Sequence, residues 1–195
     1  MKEKRDLLSY FTLYSFPFIF FPFPPFIHSS FLPFLSSPVP DTLFPIMRAV
    51  IQRVSEASVR VDEQVIGHIG RGLLILLGIS ASDTKAEVEY LSEKIVSLRI
   101  FSNDAGKFAF SVQDVQGEIL VVSQFTLYGD LRKGRRPSFT EAAGIDRALP
   151  LYEYFVECVK RHQIRVATGQ FQSTMAVNLV NDGPVTLILD THERK

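Results

Sequence analysis

One cysteine in 195 residues, Cys158, excludes an intrachain disulfide and any cysteine-based zinc site. Such thiol-poor composition fits a reducing compartment, taken here as the cytoplasm. An excess of charge is missing too, since 21 Lys and Arg balance 21 Asp and Glu. A neutral chain is no nonspecific coat for nucleic acid, so any contact with RNA or DNA has to be local. None of the four histidines (His28, His68, His162, His192) lies beside a plausible nucleophile in sequence. HExxH, a glycine-rich phosphate loop and GxSxG are all absent. Metal catalysis and a Ser-His-Asp relay are therefore poorly provided for, and neither a metal nor a cofactor is expected. An enzyme made from this chain must work through placement, backbone donors and hydroxyls, which suits an activated ester.

Glycine is absent from residues 1–46, which instead hold 10 of the 17 Phe and 8 of the 11 Pro. Four prolines within FPFIFFPFPP rule out a regular membrane helix there. Lys2, Lys4 and Arg5 imitate the start of a signal peptide, but prolines interrupt the apolar stretch and no small-residue cleavage site follows. Three readings compete: a disordered or spurious extension ahead of a start at Met47, a targeting segment, and membrane association. The first is adopted, with the domain over residues 47–195 and no stable membrane association.

Within the domain, residues 48–54 alternate polar and apolar, residues 57–61 continue the pattern, and Asp62-Glu63 turns the chain into residues 64–69: an antiparallel meander. Residues 73–79 (LLILLGI) read as a central strand. Thr84 and Glu87 have capping-box spacing, and Val88, Leu91, Ile95 and Leu98 follow at helical spacing. Residues 98–101 are predicted as strand. Phe108 and Phe110 serve as pocket walls or, preferably, as core. A second helix is predicted to start at Pro150, burying Leu151, Tyr154, Phe155, Cys158 and Val159, with Cys158 a packed thiol and His162 near the helix end facing its dipole. Residues 164–167, 175–180 and 185–190 complete the strands. These elements make one compact α/β domain of layered, mixed and largely antiparallel sheets with two main helices.

Two stretches carry chemistry. Residues 118–139 (EILVVSQFTLYGDLRKGRRPSF) begin as a buried strand, then place Ser123, Gln124, Phe125 and Thr126 at its end. Arg132, Lys133, Arg135 and Arg136 follow around Gly134, a cluster suited to phosphates. The plainer alternatives are hydroxyls that satisfy a turn and a solvated basic loop. In residues 181–186 (NDGPVT), Gly183 lets backbone approach a ligand, and the Gly183–Pro184 bond can be cis. A bend there, followed by Thr186, could set two carbonyls side by side as a wall. An ordinary turn is the preferred reading of this stretch taken alone.

Together, SQFTLYGDLRKGRRPSF and NLVNDGPVTL resemble the two signature motifs of the D-aminoacyl-tRNA deacylases. MRAVIQRVSEASVRV and LRIF resemble that family too, and the likeness runs from Met47 to about Asp190. The resemblance implies a homodimer that hydrolyses the ester of D-aminoacyl-tRNA, and of glycine mischarged on tRNA, with the active site at the subunit interface. Thr126, Ser123 and Gln124 take the catalytic positions. Phe125, Met175, Thr186, Gly183 and Pro184 take the substrate-binding ones, the Gly–cisPro element reaching in from the other subunit. Arg132, Lys133, Arg135 and Arg136 would steer the acceptor stem. With no base near Thr126 in sequence, that hydroxyl is expected to position water rather than attack. Gln172-Ser173-Thr174 depart from the family's usual Gly-Ala-Asp and are expected at the pocket rim. The competing class is a module that binds RNA or DNA ends on the same fold without hydrolysis.

Overall fold

The computed structural model describes residues 47–191 apart from Lys133, so the reading of residues 1–46 as an extension lies outside the described residues. In chain order the elements are β1 (Arg48–Val61), β2 (Gln64–Ile69), β3 (Gly72–Gly78), α1 (Lys85–Val96), β4 (Phe101–Ser102), β5 (Phe108–Phe110) and β6 (Glu118–Ser123). A 3-10 turn (Phe125–Tyr128), α2 (Ile145–Lys160), β7 (Val166–Thr168) and β8 (Ala176–Asp190) follow.

The long strand β1 is the axis. β8 runs antiparallel along one edge, from Asp190 opposite Arg48 to Ala176 opposite Arg60. The other edge is divided between β3, opposite Arg48 to Val54, and β2, opposite Ala57 to Val61. Asp62 and Glu63, both at positive φ, make the tight hairpin predicted between β1 and β2. β6 then adds to β3 in parallel and β7 to β6 in parallel, so the sheet is mixed. The sheet curls until its ends meet: a methyl on Gly67 of β2 would sit 2.6 Å from the Thr168 carbonyl oxygen of β7. The result is a nearly closed barrel with both helices on its outside.

Alternation along β6 divides the core. Ile119 and Val121 pack with Leu77, Leu91, Ile95, Phe155 and Val159 beneath the helices, while Leu120 and Val122 join Val59, Ile69 and Leu74 inside the curl. Burial on both faces is what the unbroken apolar run predicts. Each of these buried apolar side chains contributes roughly 1.5–3 kcal/mol. The capping box of α1 forms as read: Glu87 accepts from the Thr84 amide at 2.8 Å and from its hydroxyl, and Val88, Leu91 and Ile95 are buried.

Several elements differ from expectation. α2 begins five residues before Pro150, with Gly144 at the N-cap, because the Gly144 carbonyl already accepts from Arg147 and Ala148. Pro150 lies inside the helix on its solvent-exposed side, and its missing N–H leaves one helical hydrogen bond unmade. Residues 98–100 turn, and only Phe101–Ser102 is strand. Phe108 and Phe110 are neither core nor pocket wall but exposed on the β4–β5 hairpin, with Arg53 stacked on Phe108. The predicted break at residues 181–184 is instead a bulge inside the single strand β8: Gln52 faces Thr186 and Val54 faces Asn181, leaving four residues of β8 opposite Arg53. Cys158 is buried, as predicted. His162 faces Glu93 at 3.3 Å as well as lying beyond the helix end. Among the described residues, no helix is long and apolar enough to cross a membrane.

Candidate active site

Parallel pairing sets Ser123, the last residue of β6, beside Leu77 near the end of β3. The Gln124 amide still donates to the Leu77 carbonyl at 2.8 Å, after which the backbone tightens into the 3-10 turn. A side chain at residue 78 would lie 3.0 Å from the Tyr128 ring, so Gly78 lets that turn close over the strand end. Arg48 fixes the turn from β1, on the far side of β3 in the same sheet. It donates to the Leu127 carbonyl at 2.8 Å and pairs through two nitrogens with Asp190, at 2.8 and 3.0 Å. This bidentate pair holds the guanidinium in a fixed direction.

A cavity of about 260 Å³ opens at this strand end. Ser123, Gln124 and Phe125 line it together with Ile79 after β3, Ala143 before α2, and Phe171 and Gln172 after β7. The two wall segments are laced together: Ala143 donates to the Ile79 carbonyl at 2.9 Å and Ala81 to the Glu141 carbonyl at 3.0 Å. Behind them Asp83, fully buried, accepts from the Ser80 amide at 2.7 Å, while its Oδ1 has no hydrogen-bond partner. Burial pushes the Asp83 carboxyl up to about 6, against the opposing pull of the Ser80 bonds. Burial likewise raises the Tyr128 phenol far above its ordinary value, so it stays neutral. Among the described residues, the cavity lining carries no ionisable side chain. What it offers is a hydroxyl, two primary amides, backbone, and apolar and aromatic walls.

The sequence-predicted residues fall into three places. Ser123, Gln124 and Phe125 line the cavity, and Thr126 stands at its edge, its hydroxyl accepting from the Gln124 amide nitrogen. Met175 packs behind it: a methyl on Gly169 would lie 2.6 Å from the Met175 sulfur, so Met175 braces the loop that carries Phe171 and Gln172. Thr186, bonded to the Gln52 side chain, and Gly183 with Pro184 lie on β8. The Gly183–Pro184 bond is cis. Gly183 and Pro184 sit in the bulge opposite Arg53, four residues along β1 from Ala49, the partner of Leu77. Strand geometry puts them roughly 13 Å along and roughly 14 Å across the sheet from Ser123 of the same chain. Arg53, which sequence reasoning missed, holds the bulge: its Nε is 2.9 Å from the Asp182 carbonyl and 3.1 Å from the Asp182 carboxylate, and another of its nitrogens donates to Ile100.

The basic loop begins next to the cavity. Asp130 and Ser138 exchange both backbone bonds, at 2.8 and 2.9 Å, and Phe139 packs edge-on against Phe125 at 5.1 Å. Arg132 pairs with Asp130, at 2.8 and 2.9 Å, whereas Arg135 and Arg136 are exposed; Lys133 lies outside the described residues.

A family model described as D-Tyr-tRNA(Tyr) deacylase matches residues 50–190. The chain belongs to this D-Tyr-tRNA deacylase family. A D-aminoacyl-tRNA deacylase of Roseiflexus castenholzii is 61% identical over 145 residues, covering 74% of this chain and 92% of the relative. One from Thermotoga petrophila is 55% identical over 145 residues, covering 97% of its length. Among solved structures, the c-Myc DNA Unwinding Element Binding Protein is similar at 44% identity, with a TM-score of 0.68 over 73% of this chain and 97% of that one. A probable eukaryotic D-amino acid tRNA deacylase shares the fold at 18% identity, with a TM-score of 0.67 over 74% of this chain and 99% of that one. In this deacylase-family chain the wall residues Ile79, Ala143 and Phe171 carried no local sequence signal, because three separate segments meet only in the fold.

Proposed function

We propose that this chain hydrolyses the ester linking a D-amino acid, or glycine, to the 3′ end of tRNA. The observation that carries the reading is the cavity at the end of β6, where the family's Ser123-Gln124-Phe125-Thr126 stretch presents two hydroxyls, a side-chain amide and backbone but no acid–base pair. An aminoacyl ester is already activated, so placement and hydrogen bonds to the developing oxyanion are the contributions it needs. Among the described residues Thr126 is bonded to Gln124 and to no base, and it serves to position water.

Selection for hand rests on the Gly183–Pro184 bulge. It is too far from the cavity of its own chain, so the bulge that closes a cavity belongs to a second copy. Two features of β8 support that arrangement. Among the described residues it pairs only with β1, and it exposes Leu179, Val180 and Ile188. An unpaired, apolar edge strand calls for a cover. A wall of backbone reads the α-carbon and ignores the side chain, so it excludes every L residue by clash and admits glycine. Arg135 and Arg136, with Lys133, steer the acceptor stem through phosphates without reading sequence.

The test is release of labelled amino acid from D-Tyr-tRNA, Gly-tRNA and L-Tyr-tRNA by protein comprising residues 47–195. The expected result is rapid release from the first two and none from the third, with Thr126→Ala keeping much of the activity. An acyl adduct trapped on Thr126 would refute the positioning role. A second reading, binding of nucleic-acid ends without chemistry, draws on the similarity to the c-Myc DNA Unwinding Element Binding Protein. Retention of tRNA in a gel with no amino acid released from any substrate would establish it instead.

A further inference from the structure

The loop after β7 is held more firmly than a loop needs to be. The Gly169 amide and the Tyr152 hydroxyl both donate to the Val121 carbonyl, at 3.1 and 2.8 Å. The Phe171 ring lies 5.7 Å from that of Tyr152, and Met175 fills the space over Gly169. Between these anchors Gln172 adopts a φ of +59°, a left-handed conformation that favours glycine. Five non-glycine residues among those described have positive φ, and of these Gln172 alone lines the cavity. Its side-chain amide makes no hydrogen bond among the described residues, whereas the amide nitrogen of Gln124 is committed to Thr126. Gln172 is therefore a cavity-lining primary amide whose donor and acceptor are both free among the described residues.

The rest of the lining defines what that amide can meet. Phe125 and Phe171 supply aromatic faces, Ile79 and Ala143 supply apolar walls, and among the described residues no charged side chain enters. Such walls take a flat, neutral, aromatic group. The substrate ends in adenosine, and either hydrogen-bonding edge of adenine sets the exocyclic amine beside a ring-nitrogen acceptor. A primary amide matches that pair with two bonds.

We propose that Gln172 is a specificity-determining residue that reads the amine-bearing edge of the substrate's terminal adenine at the mouth of the Ser123 cavity. The proposal rests on the aminoacyl-tRNA reading given above. Glycine is the informative substitution, because it suits the backbone at residue 172 better than glutamine does and removes only the side chain.

The probe is an acceptor-stem minihelix carrying D-Tyr through a non-hydrolysable amide, ending either in adenosine or in purine riboside, which lacks the exocyclic amine. Binding is measured for wild type and Gln172→Gly. Wild type should bind the adenosine form roughly tenfold more tightly than the purine form. Gln172→Gly should bind the adenosine form with about the affinity wild type shows for purine, and should not distinguish the two. Equal discrimination by both proteins, or no loss of affinity in the variant, would overturn the role of Gln172. Hydrolysis of the ester substrate is followed separately. Inactive protein that still shows the Gln172-dependent preference would refute the deacylase reading while leaving the adenine contact standing.

Discussion

At the scale of single residues, the groups that matter are held by partners far away in sequence. Ser123, Gln124 and Phe125 were legible because they sit together where an apolar run turns polar. Arg53 was not, since its partner Asp182 is 129 positions away and nothing local marks a buried arginine. Its fork engages the Asp182 carbonyl, the Asp182 carboxylate and the Ile100 carbonyl, and a lysine cannot reproduce that geometry. Arg53→Lys should fold, should lose about tenfold or more in kcat/KM on D-Tyr-tRNA, and should admit some L-Tyr-tRNA as the bulge loosens. Unchanged rate and selectivity would separate the bulge from the reaction. Asp83 makes a prediction about pH. Its folded value, about 6, lies above the ordinary carboxylate value, so the folded state binds its proton more tightly than the unfolded state does. The stability it contributes is thus complete below about pH 4 and is lost as pH rises through 6. The groups with electrostatic influence on it are Glu87 on α1 and Arg147 on α2, while Tyr128, neutral, packs from the 3-10 turn. Asn lacks this titration yet keeps an acceptor for the Ser80 amide. The stability of Asp83→Asn relative to wild type should therefore improve by up to about 3 kcal/mol between pH 4 and 8, read from chemical denaturation across that range. A difference that does not change with pH would contradict a buried, titrating Asp83.

At the scale of elements, what could be read depended on whether the signal was local. The capping box of α1 and the apolar runs of β3 and β6 are complete within a few residues, so type and burial followed directly. α2 was predicted late because its true start has no side-chain cap, only the Gly144 backbone, while Pro150 imitates a first turn. β8 was cut in two because Gly183-Pro184 looks like a turn, and only pairing with β1 carries the strand through the bulge. Phe108 and Phe110 show a third limit: alternation marks a strand but not whether its aromatic face meets the core or solvent. Strand contacts also make a sharp contrast between two glycines. A methyl at Gly72 would fall inside the Glu118 backbone that β3 pairs with, whereas a methyl at Gly70 meets nothing within 4 Å. Gly72→Ala should cost roughly 3 kcal/mol or more, or prevent folding, because backbone cannot step aside. Gly70→Ala should change stability by no more than about 0.5 kcal/mol. Thermal melts of the pair decide it, and a well-tolerated Gly72→Ala would contradict the close β3–β6 pairing at that end.

At the scale of the whole molecule, the proposed site has two halves. The cavity with its hydroxyl and amides lies at one end of the curled sheet, and the bulge that would judge chirality lies opposite Arg53 in the middle of β1, on an edge strand with exposed apolar side chains. On the proposed reading neither half completes the other within a chain, and the central claim is that two copies exchange them. The direct measurement is complementation between two inactive chains: one with its cavity disabled by Ser123→Tyr, the other with its bulge disabled by Arg53→Ala and Pro184→Ala. In co-expressed protein, half of the dimers are mixed and one of the two sites in each is whole, which predicts about a quarter of wild-type D-Tyr-tRNA hydrolysis with L-Tyr-tRNA still spared. Activity no greater than that of the two variants assayed alone would mean that each chain makes its own site, and would contradict the account.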